Sequence, residues 1–498
     1  MKSNMYSLFI FFLKWHFIQC SQNNGAGIYL SGPGLKPDKI VLPARYFFIT
    51  FSSVDEETYT SDWARNVAVE IKGKTQKTNY CRIWVNKLDR KDGTFIVRYK
   101  IYETCFNLSI NIYYKSKNIE GSPVTFKGPI LPDQCNCPTK DLTSWLTDYG
   151  CNNVPEQIVN DLKAFQAVNM TVEVKRIVEK YHQPESTSFC HYIIKGNEIF
   201  RNCYGRHVGF NMFADNILLS LTRKVKLPDV EMVINLGDWP LIIKNTELLP
   251  VFSWCGSSQT IDILMPTYDI TESTLENMGR VTLDMLSVQG NVERPWSQRE
   301  PRAIWRGRDS RLERLKLVDI ARSHPDLFNV SLTNFFFFRE KEEQYGPKQP
   351  HISFFKFFDY KYLINVDGTV AAYRFPYLLA GGGLVLKQDS EYYEHFYQQL
   401  REWEHYVPVK NDLGDLVEKV QWALSNDDKA HQIARNARQF ANDHLLPQNI
   451  ICYHAALISE WSKRISNKIQ VQKGMTHVPQ LEFACDCSNT EEEIHDEL

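Results

Sequence analysis

The stretch Ala303–Val318, which reads AIWRGRDSRLERLKLV, joins a short apolar segment to a basic one. Its first three residues predict the end of a strand, and Gly307 predicts a turn whose backbone can approach a ligand closely. Ser310 and Glu313 have the spacing of a capping box, which predicts a helix that starts at Arg311. The stretch therefore predicts a strand–turn–helix unit.

Four arginines surround this predicted helix start: Arg306, Arg308, Arg311 and Arg314. A helix N-terminus favours anions through its free N–H groups and its dipole. The forked donors of guanidinium groups match phosphate oxygens. The cluster predicts a diphosphate-binding site, and a solvated basic helix start is the alternative.

A second strand and helix follow in the same order. Tyr362–Val366 predicts a strand, and Pro376, which a helix tolerates in its first turn, predicts a helix that begins near Arg374. Gly368–Tyr373 is then a strand-to-helix loop, and Leu384–Leu386 begins the next strand. This βαβ unit and the arginine stretch together predict one phosphate-binding lobe.

A candidate general base lies in an earlier segment. Val230–Leu236 predicts a buried strand that leads into NLGDWP, residues 235–240. Side chains just past the carboxyl end of a strand in an open α/β sheet face the ligand crevice. Asp238, beside Trp239, is therefore a candidate base. An aspartate that only stabilises the turn is the alternative.

The flanking segments predict the remainder of an α/β region. Helical spacing covers Pro155–Tyr181, Phe213–Arg223, His431–Asn442 and Pro447–Ile465, and Met265–Asp284 is loop-like and then helical. Ser188–Ile199 predicts a hairpin, with Cys190 and Cys203 near enough to pair. The phenylalanine runs within Asn334–Arg339 and Ser353–Phe358 are predicted to be core rather than ligand-stacking residues.

The N-terminal region has a different pattern. From about Gly25 to Ile130 short strand-like segments recur, with a turn signal at Asp89–Gly93 and alternating apolar residues after it. Several such strands at regular spacing predict a β-sandwich. The region contains no catalytic pattern, so we predict a binding or spacing module. Pro132–Pro138 is predicted to be a linker whose cysteines pin the next domain.

The two ends predict the compartment. Residues 1–21 carry a basic residue, an apolar run and a small residue at the end, as a secretory signal peptide does. The last residues, His495–Leu498, are an endoplasmic-reticulum retention signal, which implies a retention receptor as partner. No other stretch is long and apolar enough to span a bilayer. We therefore predict a soluble protein of the endoplasmic-reticulum lumen.

The cysteines fit an oxidising compartment. Twelve are present, and removal of Cys20 with the signal would leave eleven, so at least one should be unpaired. Cys135-x-Cys137 and Cys485-x-Cys487 are predicted to form disulfides rather than a zinc site. Three sequons predict glycan sites, at Asn107, Asn169 and Asn329.

Charge and metal ligands narrow the class of function. The net charge of −2 gives no indication of nucleic acid or of a membrane surface. A diphosphate leaving group is often stabilised by a divalent ion on an Asp-x-Asp triplet, which this sequence lacks. Cationic side chains and helix N-termini can take that role. The pattern predicts a two-lobed nucleotide-sugar transferase that needs no metal.

Five segments, INLGDWP, MPTYD, WRGRDSRLERL, KYLINVDGTVAAYR and VLKQDSEYYEHFY, resemble the Rumi-type protein O-glucosyltransferases, in particular the KDEL-motif-containing branch. Ser31–Leu35 (SGPGL), DGTFIVRY and Gly121–Pro123 (GSP) resemble a filamin-type immunoglobulin-like repeat. The resemblance implies a signal peptide (1–21), a filamin-type domain (22–131), a GT-B glucosyltransferase domain (132–475) and a tail (476–498). Within the transferase it implies an acceptor lobe at about 150–295, a donor lobe at about 300–445 and closing helices to 470.

The same resemblance implies an activity. It implies metal-independent, inverting transfer of glucose from UDP-glucose to serine of EGF-like repeats, with Asp238 as the catalytic base. The implied donor-binding residues are Arg306, Arg308, Arg314, Thr369, Val370, Ala371, Ala372, Tyr373 and Arg374. Some relatives have serine where this chain has Arg308, so the phosphate contacts there can differ. UDP-xylose as donor, and a non-catalytic lumenal protein that binds or chaperones EGF-repeat clients, are the alternatives.

Overall fold

The computed structural model describes residues 27–487 except residues 57, 184–187 and 277–283. The described chain forms a β-sandwich followed by two α/β lobes. The predicted signal peptide, Cys20 and the retention signal lie outside the described residues. Among the helices of the described part, none has the length and apolarity needed to cross a membrane.

The sandwich is made of one helix and eight strands. They are β1 (Ile28–Ser31), β2 (Arg45–Phe51), α1 (Ser61–Asn66), β3 (Val67–Lys74), β4 (Ile83–Asp89), β5 (Thr94–Ile101), β6 (Phe106–Tyr114), β7 (Lys117–Asn118) and β8 (Val124–Phe126). One sheet has the order β1-β2-β5-β4, and the other pairs β6 with β3, β7 and β8. The predicted turn at 89–93 joins β4 to β5, with Gly93 at φ 82°. The prediction of a sandwich is confirmed.

The sandwich is fixed to the rest of the chain by buried polar contacts. Arg98 on β5 lies 2.9 Å from the carboxylate of Asp284, and Arg438 lies 2.8 Å from that of Asp92. The buried Arg45 donates to the carbonyl of Leu131 at 2.6 Å, at the start of the predicted linker. These contacts hold the sandwich against the α/β region.

The first α/β lobe begins after the linker, and it is named the acceptor lobe after the prediction above, as the second is named the donor lobe. Its elements are α2 (Leu142–Tyr149), α3 (Glu156–Leu162), α4 (Met170–Tyr181), β9 (Phe189–Lys195), β10 (Glu198–Tyr204), α5 (Asn211–Lys224), β11 (Val230–Asn235), β12 (Val251–Ser253), β13 (Gly256–Ser257), β14 (Ile263–Leu264), α6 (Tyr268–Leu275) and α7 (Met285–Gly290). The predicted hairpin is β9–β10, and Cys190 and Cys203 on it form a disulfide, as predicted.

The donor lobe and the closing elements complete the chain. They are β15 (Glu300–Arg308), α8 (Leu312–Ser323), β16 (Phe328–Asn334), α9 (Glu342–Tyr345), β17 (Tyr360–Asn365), α10 (Phe375–Ala380), β18 (Leu384–Gln388), β19 (Tyr392–Tyr393), β20 (Val407–Val409), α11 (Leu416–Ser425), α12 (Asp427–His444), α13 (Pro447–Ser462) and β21 (Thr476–Val478). The donor sheet is parallel throughout, with the order β16-β15-β17-β18-β20. The acceptor sheet has the order β14-β12-β11-β9-β10-β21.

The two lobes also contact each other apart from the chain between them. The short strands β13 and β19 pair across the lobes, with Gly256 opposite Tyr393. Helix α12 packs on α10 of the donor lobe, and α13 packs on α2, α5 and α6 of the acceptor lobe. This two-lobed α/β arrangement behind an all-β sandwich confirms the predicted fold class.

Two predicted elements differ from the structure. The helix predicted over Pro155–Tyr181 is two helices, because residue Val168 leaves the helix and pairs with the end of α13, accepting from Ser466 N–H at 2.8 Å. The tail predicted from residue 476 begins inside the fold, since β21 pairs with β10. Disulfides Cys135–Cys485 and Cys137–Cys487 then fasten the following residues to the linker.

The cysteine and sequon predictions have mixed outcomes. Cys135, Cys137, Cys485 and Cys487 form disulfides, as predicted, and the buried Cys255 is free within the described residues. The glycan prediction at Asn329 stays a prediction, although the amide is engaged in the fold. Its amide lies within strand β16, where it donates to Tyr360 Oη and accepts from a guanidinium at 2.6 Å.

The phenylalanine prediction is half right. Phe335, Phe357 and Phe358 are buried, as predicted. Phe336 and Phe337 are about half exposed, because their backbone turns at the end of β16.

Candidate active site

The loop that carries Asp238 is fixed by a buried side chain beneath it. Asn235, the last residue of β11, accepts from Gly237 N–H at 2.9 Å and donates to the carbonyl of Trp239 at 2.7 Å. Its amide also donates to Ser253 Oγ at 3.1 Å on the neighbouring strand. The carboxylate of Asp238 is thereby held at the carboxyl end of β11, where the sequence predicted it.

The environment of Asp238 suits a group that exchanges a proton. Partial burial raises the pKa of its carboxyl above the usual value. A hydrogen bond from Tyr268 Oη at 3.4 Å and the positive charge of Arg308 act in the opposite direction and lower that pKa. An aspartate with these opposed influences can accept a proton in a partly desolvated cleft.

Tyr268 itself is held by aromatic side chains. Its ring stacks on Phe213 with centroids 5.1 Å apart, and it meets Trp254 and Tyr373 edge-on at 5.9 and 5.4 Å. Tyr373 belongs to the donor lobe, so this contact joins the side chain that bonds Asp238 to the donor-lobe loop.

The donor-lobe stretch differs from its prediction in detail. The strand β15 extends to Arg308, so Gly307 lies within a strand and not in a turn. A Cβ at Gly307 would approach the Trp305 ring to 2.5 Å, which explains the glycine by packing. The capping box is wrong: α8 starts at Leu312, and Ser310 Oγ has no partner among the described residues.

Arg308 faces the acceptor lobe. The register of β15 against β16 shifts between Gly307 and Arg308, so Arg308 follows an irregularity in the strand. Its side chain is exposed, and its charge lowers the pKa values of both Asp238 and Tyr268 across the cleft.

The guanidinium of Arg306 is directed to a neighbouring strand, and its role in donor binding stays a prediction. Its guanidinium donates to the carbonyl and the side-chain oxygen of Asn329, at 2.8 and 2.6 Å. In an unbroken strand, residue 306 points to the face opposite to its neighbours Trp305 and Gly307. The carbonyl of Arg306 accepts from Arg374 at 2.6 Å, so the backbone of residue 306 contacts a second predicted donor-binding residue.

Arg314 lies beneath the site and binds backbone carbonyls there. Its guanidinium donates to the carbonyls of Asp367, Arg308 and Val366 at 2.6, 3.0 and 3.2 Å, and it is almost fully buried. Burial, with neighbouring positive charges, lowers the pKa of Arg314 to about 9. Three of its donors therefore hold the ends of β15 and β17 together and are not available to a ligand.

Arg374 lies at the start of α10, as predicted. Its guanidinium and that of Arg314 lie over the Trp305 ring, 5.9 and 5.2 Å from the centroid. Burial lowers the pKa of Arg374 to about 10, which leaves it charged at neutral pH. The two arginines thus share one aromatic support, a favourable arrangement for cations.

The loop Thr369–Tyr373 packs towards the acceptor lobe. Val370 and Ala371 are buried in a cluster with Cys255 and Tyr392, and Ala372 is buried too. Thr369 is half-buried. The apolar side chains of this loop pack in the protein interior. The groups of the loop that can contact a ligand are therefore its backbone and the side chain of Thr369.

Asp367 and Arg311 belong to the site, although Asp367 was not predicted. Burial raises the pKa of Asp367 to about 6, against the lowering effects of Ser390, Lys387 and the two arginines 311 and 314. Arg311 Nη1 lies 3.6 Å from this carboxylate. The sequence position of Asp367 could have indicated it as a site residue, because it follows the end of β17 as Asp238 follows the end of β11.

Within residues 27–487, apart from the gaps, no cluster of three or more histidine, cysteine or acidic side chains could hold a metal ion. Among the polar groups that meet between the lobes are Asp238 and Tyr268 from the acceptor side and Arg308 from the donor side. This arrangement can take a proton on one side and hold an anion on the other.

Comparison with known proteins gives two family matches. Residues 147–497 match the model of glycosyl transferase family 90, and residues 25–125 match the filamin/ABP280 repeat. Protein O-glucosyltransferase 2 of Danio rerio is 46% identical over 94% of this chain and 93% of its own length. Protein O-glucosyltransferase 3 of Homo sapiens is 43% identical, over 92% and 91%. Protein O-glucosyltransferase 1 of Homo sapiens is 34% identical over 51% of this chain and 67% of its own.

Proposed function

Because this chain belongs to glycosyl transferase family 90, we propose that it transfers glucose from UDP-glucose to a serine hydroxyl of EGF-like repeats in the endoplasmic-reticulum lumen. The protein O-glucosyltransferases named above support a glucose transfer to protein. The five disulfides of the described chain support an oxidising compartment.

The observation that carries the proposal is the position of Asp238 opposite Arg308. The two side chains come from different lobes, and they are near enough for the arginine to lower the pKa of the aspartate. A carboxylate and a guanidinium from different lobes therefore lie near each other, which supports a single displacement with inversion.

In the proposed reaction Asp238 takes the proton of the acceptor serine while the serine oxygen attacks the anomeric carbon of glucose. The bond from that carbon to the UDP oxygen breaks, and UDP leaves with the electron pair. General-base assistance is typically worth about 10²–10⁴ in rate. The Asn235 contacts keep the carboxylate in place for this step.

The departing diphosphate is assigned to Arg308, Arg374 and the first N–H groups of α8. Arg308 is exposed at the cleft, and both Arg374 and Arg308 lie near enough to Arg314 to lower its pKa. Charged donors of this kind stabilise a leaving group without reorganisation. Arg314 keeps a role, as the group that holds the carbonyls of residues 308, 366 and 367 in position. The proposal requires no metal ion.

The test is a transfer assay on the purified full chain. A folded EGF-like repeat is incubated with UDP-glucose, with UDP-xylose or with UDP alone, and the repeat is examined by mass spectrometry. A hexose on serine supports the proposal, and a pentose alone would change the donor to UDP-xylose. No mass gain with either sugar would favour a non-catalytic binding protein. Turnover that EDTA abolishes would remove the metal-independent mechanism.

A further inference from the structure

A small cavity lies where the sandwich meets the α/β region. Of the eight described residues that line it, five are arginine or lysine and one, Glu56, is acidic. None of them is among the residues of the candidate active site. A concave surface with a basic lining attracts anions, so this junction cavity (the cavity lined by Glu56, Arg90, Arg299 and Arg438) is a candidate anion site.

Three arginines of the lining are buried. The side chains of Arg90 and Arg438 are 8% and 18% exposed, and Arg299 is 5% exposed. Arg90 directly follows β4 of the sandwich, Arg299 directly precedes β15 of the donor lobe, and Arg438 lies on α12. Guanidinium groups from three separate parts of the fold therefore meet at one cavity.

These three guanidinium groups outnumber the carboxylates beside them. Asp92 lies 2.8 Å from Arg438 and 3.8 Å from Arg90, and Glu56 lies 4.0 Å from Arg438. Arg299 donates to two backbone carbonyls, at 3.1 and 2.6 Å, and has no carboxylate within 4.0 Å among the described residues. A buried charge without a partner of opposite sign is costly, so the junction cavity favours a negative guest.

The arginines also act on one another as like charges. Burial, and then the charge of Arg438, lower the pKa of Arg90 to about 10. Burial lowers the pKa of Arg299 to about 10 as well, and Arg438 adds to this lowering against the effect of Glu56. Both groups are therefore charged at neutral pH. In addition, the Nε of Arg90 is buried and has no hydrogen-bond partner among the described residues, and an anion in the cavity would supply an acceptor.

The size of the junction cavity restricts the anion. Its volume is about 10 Å³, roughly the space for the centre of one water-sized sphere. A tetrahedral oxyanion such as phosphate needs more room. We infer that the junction cavity binds one compact monovalent anion, of the class of chloride, which neutralises positive charge there and fastens the sandwich to the α/β region. This inference is independent of the proposed function.

The test measures urea unfolding of the full chain in potassium chloride and in potassium gluconate at the same ionic strength. Gluconate is too large for the cavity, so it is the reference anion. A ligand that binds only the folded chain lowers the unfolding equilibrium constant by a factor of one plus the ratio of its concentration to its Kd. We therefore expect a fall of about tenfold when chloride is at about ten times its Kd.

A variant and a second measurement separate this effect from a general salt effect. Arg90→Gln removes one of the three cations and should abolish the chloride dependence. Arg65→Gln, at a side chain that is 75% exposed on α1, is the matched control and should keep it. Because Arg90→Gln can fail to fold, crystals of the unaltered chain grown in bromide provide the second measurement. An anomalous peak is expected between the guanidinium groups of Arg90, Arg299 and Arg438.

Three results would overturn the inference. The first is equal stability of the unaltered chain in chloride and in gluconate. The second is a chloride dependence of Arg90→Gln equal to that of the unaltered chain, which would mean that chloride acts elsewhere or as a general salt. The third is a junction cavity that holds water and no bromide in the crystals.

Discussion

The hydroxyl of Tyr268 lies 3.4 Å from the Asp238 carboxylate, and it is the only acceptor-lobe side chain of the described residues that we find bonded to that carboxylate. This hydrogen bond lowers the pKa of Asp238, whereas burial raises it. The same tyrosine touches Tyr373 of the donor-lobe loop. It therefore joins the proposed base to the proposed donor site.

Tyr268→Phe removes that hydrogen bond while keeping the ring stack on Phe213. The pKa of Asp238 should rise, because one of the two influences that lower it is lost. A base must be deprotonated to act, so the acidic limb of the kcat/KM profile should move to higher pH. Tyr80→Phe is the control, and an unmoved acidic limb would mean that Tyr268 does not act on the base.

Substitutions of Arg308 and Arg314 should affect different properties. The first should weaken UDP binding, and the second should lower stability. Arg314→Ala leaves buried carbonyls unpaired, each at a cost of about 1–3 kcal/mol, so the free energy of unfolding should fall by about 3 kcal/mol or more. Arg308→Ala changes an exposed residue, and its effect on stability should stay within about 0.5 kcal/mol, although UDP binding weakens. Urea denaturation with calorimetry checks both, and the reverse pattern would contradict the assigned roles.

The sequence predicted where the strands that carry the site end. It predicted less well where the side chains at those strand ends point. Asp238 and Arg374 lie where strand–loop–helix periodicity put them. The direction of the Arg306 side chain could not be predicted, since its partner Asn329 is 23 residues away on a neighbouring strand. The register shift between Gly307 and Arg308 comes from sheet pairing.

The same limit explains the errors in the fold. The break in the helix predicted at Pro155–Tyr181 comes from Val168, which pairs with residues almost 300 positions later. Strand β21 looked like a tail because three residues carry little periodicity, and only pairing with β10 defines it. Ser310 and Glu313 have the sequence spacing of a capping box, but β15 extends to Arg308 and α8 starts only at Leu312.

Removal of either one of the two disulfides at the C-terminal segment should change the free energy of unfolding little. Cys135–Cys485 and Cys137–Cys487 cross-link the same two segments, so either one alone keeps β21 fastened. Loss of both should lower the free energy of unfolding by about 2–4 kcal/mol. Serine variants, single and double, measured by thermal unfolding check this, and a full effect from one single variant would contradict it.

Cys255 should be protected in the folded chain. Its thiol is buried and donates to the carbonyl of Asp238 at 3.3 Å, and burial raises its pKa. Thiolate is the reactive form, so alkylation should be slow in native protein and rapid after denaturation without reductant. Peptide mapping by mass spectrometry locates the label, and fast native labelling at Cys255 would show that the interlobe cluster opens.

The most direct measurement of the central claim compares transfer and UDP binding in Asp238→Asn, with Asp326→Asn, at an exposed position, as the control. Asparagine keeps the shape of the side chain and cannot take the proton. We expect glucose transfer to fall by about 10²–10⁴ while the Kd for UDP remains near that of wild type. Transfer that persists, or a loss of UDP affinity equal to the loss of activity, would contradict the role of Asp238 as the base.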